Sequence, residues 1–446
     1  MANSNQAIRA IENACRVLHG RDDDFDALLD AIGDARLVLI GEASHGTHEF
    51  CQTRARITRE LIQEKRFSAV IAEADWPDAY RVNRYALGMN DDPSAERASS
   101  GFERFPQWMW RNQDVLEFVE SLRQHNQATP RSQPRCGFYG MDLYSLYTSM
   151  AAVLDYLDRT DPQAARRARF RYGCFEQFEE DPQVYGYAAA FDLDARCQEQ
   201  VVTQLVEMRR HAAELAKRDG QVAEDEAFYA EQNARLAKKA EAYYREMFAG
   251  RVDTWNLRDT HMVETIVTLL DHLDRTRGGP TRAVVWAHNS HLGDARATQA
   301  SERGEINVGQ LCRQRWGRQV FNIGFTTHSG TVAAATDWGG EVEMKQVRPS
   351  LSGSYERLLH EVGLQDFMLI FNESTQVAAQ LADECLERAI GVIYRPETER
   401  LSHYFRASLP RQFDAVIHLD TTTAVWPLEK TAPFEAQKAE TYPTGI

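Results

Sequence analysis

The sequence predicts an α/β fold, with a central, mostly parallel or mixed β-sheet flanked by helices, and three observations carry that expectation. Short apolar runs, too short for helices, recur along the chain and stop at polar turns, as strands buried on both faces do. Segments with apolar residues at helical spacing alternate with these runs, in the manner of crossover helices. The middle, from about Leu143 to Thr276, is charge-rich and helical with no strand signal, which reads as an insertion.

The four segments that follow are 1–142 and 277–426 as two parts of one α/β core, 143–276 as the helical insertion, and 427–446 as a loosely held tail. Composition agrees with a globular protein: of 446 residues, 43% are hydrophobic and 26% charged. No apolar run approaches the roughly 20 residues that span a bilayer, so no membrane partner is expected. A net charge of −15 repels phosphate backbones, so nucleic acid is not expected either. The basic cluster Arg166–Arg171 is read as the solvated face of a helix. Met1 to Gly20 lacks the basic start and apolar core of a secretory signal, giving a cytoplasmic expectation. The seven cysteines are odd in number, scattered and never in a C-x-x-C pair, so reduced thiols are expected rather than disulfides or a thiolate zinc site. No motif speaks to oligomeric state.

In chain order, an amphipathic helix precedes a strand at Leu37–Ile40, which ends in Gly41-Glu42-Ala43-Ser44-His45-Gly46. A helix from about His48 to Lys65 buries Phe50, Ile57 and Leu61, and places Arg54 in the middle of that stripe. A guanidinium there needs an anion, because unpaired burial of charge is costly; Glu42 and Glu73 are the candidates. The next strand, Ala69–Ala72, stops at Glu73, and a helix carrying Tyr80, Asn83 and Leu87 follows. Gly88 to Pro106 reads as a long loop whose aromatics, with Trp108 and Trp110, pack either over a site or into a satellite core. A third strand, Cys136–Gly140, leads to Asp142.

Within the insertion, the last helix, Thr254 to Arg275, brings Arg258 and Asp259 close to its buried stripe, as an ion pair or as functional groups. The strand Ala283–Ala287 delivers His288-Asn289-Ser290-His291. Later strands are expected at Gln319–Ile323, Phe367–Phe371, Ala389–Tyr394 and Phe413–Leu419, with a helix at about Thr375–Arg388.

Strand ends thus collect Glu42 and His45, Glu73, Asp142, and His288 and His291, at the sheet edge where open α/β folds place ligands. Histidine beside glutamate suits hydrolysis of an ester by activated water: a base near neutral pKa, a carboxylate to orient it, and donors for the oxyanion. His45 is the expected base, Glu42 or Glu73 its orienting partner, His288 and His291 the donors or leaving-group acid, and Arg54 the group that holds the carboxylates ionised. Ser44 fails as a nucleophile elbow, since Glu42 stands where G-x-S-x-G needs glycine. A metallohydrolase using the same His/Glu cluster stays open, with His288-x-x-His291 as usable ligand spacing. So does a non-catalytic small-molecule binder with a structural polar network.

The stretches Gly41-Glu42-Ala43-Ser44-His45-Gly46 with Glu49 and Arg54, Ile71-Ala72-Glu73, Phe138-Tyr139-Gly140-Met141-Asp142, Arg258-Asp259 with Met262, and Trp286-Ala287-His288-Asn289-Ser290-His291 together resemble the erythromycin esterase family. The resemblance implies a hydrolase, without metal or other cofactor, that opens a macrolactone or similar ester with water activated at His45. It implies that Glu42, Arg54, Glu73, His288 and His291 complete the site; Asp142 and Arg258 are expected to bind the substrate. The site would lie in a cleft between the sheet and the helical insertion, which forms one wall.

Overall fold

The computed structural model describes residues 4–130, 132–178, 180–190, 197–215, 221–248 and 251–429. In chain order its strands are β1 Arg16–Val17, β2 Leu37–Ile40, β3 Ala69–Asp75, β4 Gly137–Asp142, β5 Ala283–Trp286, β6 Val320–Thr326, β7 Ser329–Ala334, β8 Glu343–Val347, β9 Asp366–Ile370, β10 Cys385–Arg388, β11 Tyr404–Ala407, β12 Ala415–Leu419 and β13 Thr421–Thr422. Eight of them form the central sheet, in the order β1-β9-β12-β6-β2-β5-β3-β4. From β12 to β4 every neighbouring pair is parallel, and only β9 and β1 join antiparallel at one edge. The sheet is therefore mixed and mostly parallel, as the apolar runs foretold.

Alternation along the strands divides the core between the two faces. Leu37, Leu39, Ile71 and Val285 pack with the helices that lie between β4 and β5, including Val153, Tyr243, Met262 and Leu269. Val38, Ile40, Val70 and Trp286 face the other way, onto Phe50, Ile57, Leu61 and Phe118. Period-two side-chain direction makes each strand serve both layers, which is why its sequence is apolar without interruption. Four neighbours, β2-β5-β3-β4, run in parallel, so their carboxyl ends lie side by side along one edge. Among the described residues no helix is long and apolar enough to cross a membrane.

Several expectations are corrected. Cys174 and Cys197 form a disulfide, with Cα atoms 6.0 Å apart. The bond joins the turn after the Pro162–Tyr172 helix to the start of the Gln198–Leu215 helix, a meeting that cysteine spacing alone does not disclose. The helix expected to reach Arg388 stops at Gln380, and Cys385–Arg388 pairs with β11 instead. Ala389–Tyr394 makes only single bridges, through Ile390 to Ser44 and Ile393 to Ala335. β7 and β8, absent from the sequence reading, form a small sheet with β13.

Gly88–Pro106 contains a short helix, Ala95–Ala98, and a following helical turn, Ser99–Gly101. Its Phe102 joins the main core, while Phe105 packs with Trp108 against Ala333 and Val425. The basic cluster lies on the Pro162–Tyr172 helix, where Arg167 and Arg171 pair with Glu207 and Arg169 with Asp158. Of the expected tail, 430–446 lies outside the described residues; Pro427 bridges Asn112 and Glu429 pairs with Arg111.

Candidate active site

At the end of β2 the chain must turn sharply beside β5 and β6, and Gly41 permits it: a Cβ there would stand 2.1 Å from Asn289 Oδ1. Gly46, at φ +70°, closes the turn against the Ala333 carbonyl. Between them, Glu42 Oε1 accepts or shares a hydrogen bond with His45 Nδ1 at 2.8 Å. The Arg54 guanidinium, buried on the His48–Lys65 helix, lies 3.3 Å from Glu42 Oε2 and 4.7 Å from the centre of the Trp286 ring. Arg54 therefore meets Glu42 and not Glu73, a correction to the two-carboxylate expectation. Burial pushes the Glu42 carboxyl up, but Arg54 and then His45 outweigh it and hold it below its ordinary value.

Glu73 is claimed by another arginine. Arg258, from the long Arg251–Arg277 helix, donates from Nη2 to Glu73 Oε1 at 2.6 Å and from Nε and Nη2 to the two oxygens of Asp142 at 3.0 and 2.9 Å. The His288 backbone N–H donates to Glu73 Oε2 at 2.9 Å. Burial opposes ionisation of Glu73 and Asp142, yet both stay below their ordinary range, Glu73 through His291 and Arg258 and Asp142 through Arg258. Asp259, expected to pair with its neighbour Arg258, instead holds His291: Nδ1 lies 3.0 Å from each Asp259 oxygen. Adjacent helical residues point about 100° apart, so each finds its own partner. Trp255 stacks on His291 at 4.6 Å. Burial works against charge on His291, but Asp259 and Glu73 prevail and raise its pKa.

His288 is fully buried, its ring 4.8 Å from that of His45. Its Nδ1 accepts from the Ser290 N–H at 3.2 Å, which puts the proton of the neutral ring on Nε2, an atom with no partner. Burial, followed by the nearby His45, pushes its pKa down to about 3, so the ring is neutral.

A cleft of about 60 Å³ opens against this edge, enough for a few water molecules. His45, Glu73, Asp142, Arg258 and His291 line it, whereas Glu42, Arg54 and His288 stand behind the wall. The sequence reading missed three ionisable lining groups: Asp75, Arg104 and Tyr144. Asp75 was legible in principle, as a second acid two residues beyond Glu73 at the end of the same strand. Tyr144 was legible too, two residues after Asp142 at the end of β4, whereas Arg104 carried no signal, because only folding brings its segment here. Tyr144 lies between the two guanidinium groups, 5.1 Å from Arg104 and 4.8 Å from Arg258.

The family model described as erythromycin esterase matches residues 62–422. The chain belongs to the erythromycin esterase family. Such membership makes it an ester-hydrolysing enzyme. The matched range begins after Arg54, so Glu42, His45 and Arg54 rest on the geometry above. Erythromycin esterase type II of Escherichia coli is 20% identical over 417 residues, 90% of this chain and 93% of that protein. Two solved structures share the fold of this family member. A Bacillus cereus protein has a TM-score of 0.75 at 19% identity, covering 96% of this chain and 100% of that one. A mutant of the erythromycin esterase EreC in its open conformation has a TM-score of 0.64 at 16% identity, covering 93% and 96%.

Proposed function

We propose that this esterase hydrolyses a small-molecule carboxylic ester or lactone with a water activated by His45, without a covalent serine intermediate and without a metal. The observation that carries the reading is the His45–Glu42 hydrogen bond at Nδ1, on a histidine that lines the cleft. It directs the other ring nitrogen, Nε2, to the role of base, as an orienting carboxylate does for a catalytic histidine. His45 takes a proton from water, and the resulting hydroxide adds to the ester carbonyl. Glu42, kept ionised by Arg54, stabilises the imidazolium that forms. Asp259 and Glu73 favour the protonated form of His291, which then offers charge to the oxyanion, and the proton on His45 passes to the departing alkoxide. Asp142 and Arg258, on the same wall, position the substrate. His288 stays neutral behind His45 and keeps its ring in place.

Serine chemistry has less support: Ser44 is bonded to Thr47 at 2.6 Å, and Ser290, though 2.9 Å from His288 Nδ1, does not line the cleft. A metal would compete with Arg258, which already takes lone pairs of Glu73 and Asp142 and contacts His291 Nε2 at 3.1 Å. The test is turnover of a panel of macrolides, simpler lactones and activated esters by the purified protein, with and without chelator. Wild-type turnover that survives the chelator and is lost in His45→Ala is the expected result. Full activity in His45→Ala sinks the mechanism, and chelator-sensitive activity with stoichiometric metal replaces it with the metallohydrolase.

A further inference from the structure

One carboxylate in the cleft differs from the rest. Glu73 and Asp142, which line it, and Asp259, which does not, each have both oxygens engaged by arginine, histidine or backbone N–H groups. Asp75 does not. Arg104 donates to it from Nε at 2.9 Å and from Nη2 at 2.6 Å, and both bonds converge on Oδ2. A fork-to-fork pair would have used both oxygens. Here the third nitrogen, Nη1, turns to the Phe105 carbonyl at 3.3 Å, and Asp75 Oδ1 remains buried with no hydrogen-bond partner.

The position is built into the backbone. The β3–β4 register breaks between Ala72 and Asp75, and Gly140 opposite makes room for the break. A Cβ at Gly140 would stand 2.4 Å from the Ala74 carbonyl and 2.7 Å from that of Asp75. Asp75 is 5% exposed, yet it lines the same cleft as His45. Burial, against the pull of Arg104 and with a push from Asp142, raises its pKa, the mark of a carboxylate with too few donors around it.

We propose that Asp75 is a specificity residue: its unpaired Oδ1 accepts a hydrogen bond from a hydroxyl or ammonium group carried by the substrate. This rests on the hydrolase reading and narrows it to esters or lactones bearing such a donor. A site with a buried acceptor discriminates strongly against an analogue that leaves it unmet.

The test compares matched pairs of activated esters, identical except that one acyl chain carries a hydroxyl or amino group. Binding of the corresponding non-hydrolysed amides by calorimetry is measured alongside. Wild type is expected to favour the donor-bearing ester at least 10-fold in kcat/KM, mainly through KM, and the donor-bearing amide likewise in affinity. Asp75→Ala should remove that preference. Asp75→Asn, whose carbonyl can still accept from Arg104 while its NH₂ takes the place of Oδ1, should weaken or reverse it. Turnover without a wild-type preference, or the same preference in both variants, overturns the proposal alone. An equal loss on both members of each pair also overturns it, by showing a structural role. Amide preference without any ester turnover supports the recognition role and overturns the hydrolase reading; neither turnover nor preference overturns both.

Discussion

Two charge networks made from the same residue types stand at one sheet edge, and they end in different states. His45, Glu42 and Arg54 form a line, with the histidine at the cleft and the arginine deepest, over Trp286. His291, Asp259, Glu73, Asp142 and Arg258 form a closed mesh in which both nitrogens of His291 have neighbours: Nδ1 meets Asp259, and Nε2 meets Arg258 and, at 3.4 Å, Glu73. A line leaves one nitrogen for chemistry, whereas a mesh holds a charge in place. In the proposed mechanism, what distinguishes the base from the anchor is the number of partners around the imidazole, and not the kind of residue supplying them.

The sharpest way to break this contrast is by activity. His45→Ala should lower kcat by about 10² to 10⁴, the span usual for general-base loss, and His291→Ala by less, both read from steady-state kinetics on an ester that wild type turns over. Equal losses would erase the distinction. By stability the order should reverse. Arg258→Met removes three hydrogen bonds to two buried carboxylates and should cost about 3–5 kcal/mol in denaturant unfolding, whereas Arg54→Met, which removes one ion pair and leaves Glu42 bonded to His45, should cost less.

The pH dependence separates the networks next. Glu42, Glu73 and Asp142 have lowered folded pKa values, so their stabilisation is present above the unfolded values, 4.5 for Glu and 3.8 for Asp, and is lost as pH falls through the folded ones. His291 has a raised one, so its contribution is complete below 6.5 and is lost as pH rises through the folded value. Glu42→Gln should therefore flatten the acid limb of a Tm–pH profile, and His291→Gln the alkaline limb. Glu73 and Asp142 keep the rest of the acid limb, so the alkaline limb is the one that tells the networks apart, and an alkaline limb unchanged in His291→Gln would sink the distinction. The smallest effect belongs to Cys51→Ala, which removes only a sulfur 3.9 Å from Arg54 Nη2: roughly 1 kcal/mol or less, with kcat little changed.

Much of this was legible in the residues. The strands β2, β3, β4 and β5 announce themselves because burial on both faces demands unbroken apolar runs, and the polar residues after them stand out by contrast. Arg54 was legible for the same reason, as a charge on an apolar stripe. β8 was not: Glu343-Met344-Lys345-Gln346-Val347 lies mostly exposed, so it needs no apolar pattern. Ala389–Tyr394 misled in the opposite sense, being largely buried without a continuous strand partner. Partner choice was the hardest to read. Arg54 with Glu42 alone, Arg258 with Glu73 and Asp142, and Asp259 with His291 depend on the order β2-β5-β3-β4, which no local spacing encodes.

The crossing of bonds behind Gly41 has one more consequence. The Asn289 backbone donates to the Glu42 carbonyl, its side chain donates to the Phe325 carbonyl, and the Gly41 N–H reaches the Ile323 carbonyl, each at 2.8 Å. The loops after β2 and β5 are thereby tied to each other and to β6, with no side chain at residue 41 to act as a spacer. These bonds cross-brace that side of the cleft. Adaptation to a bulkier guest is expected instead from Pro106 and Met109, half-buried lining residues outside those ties.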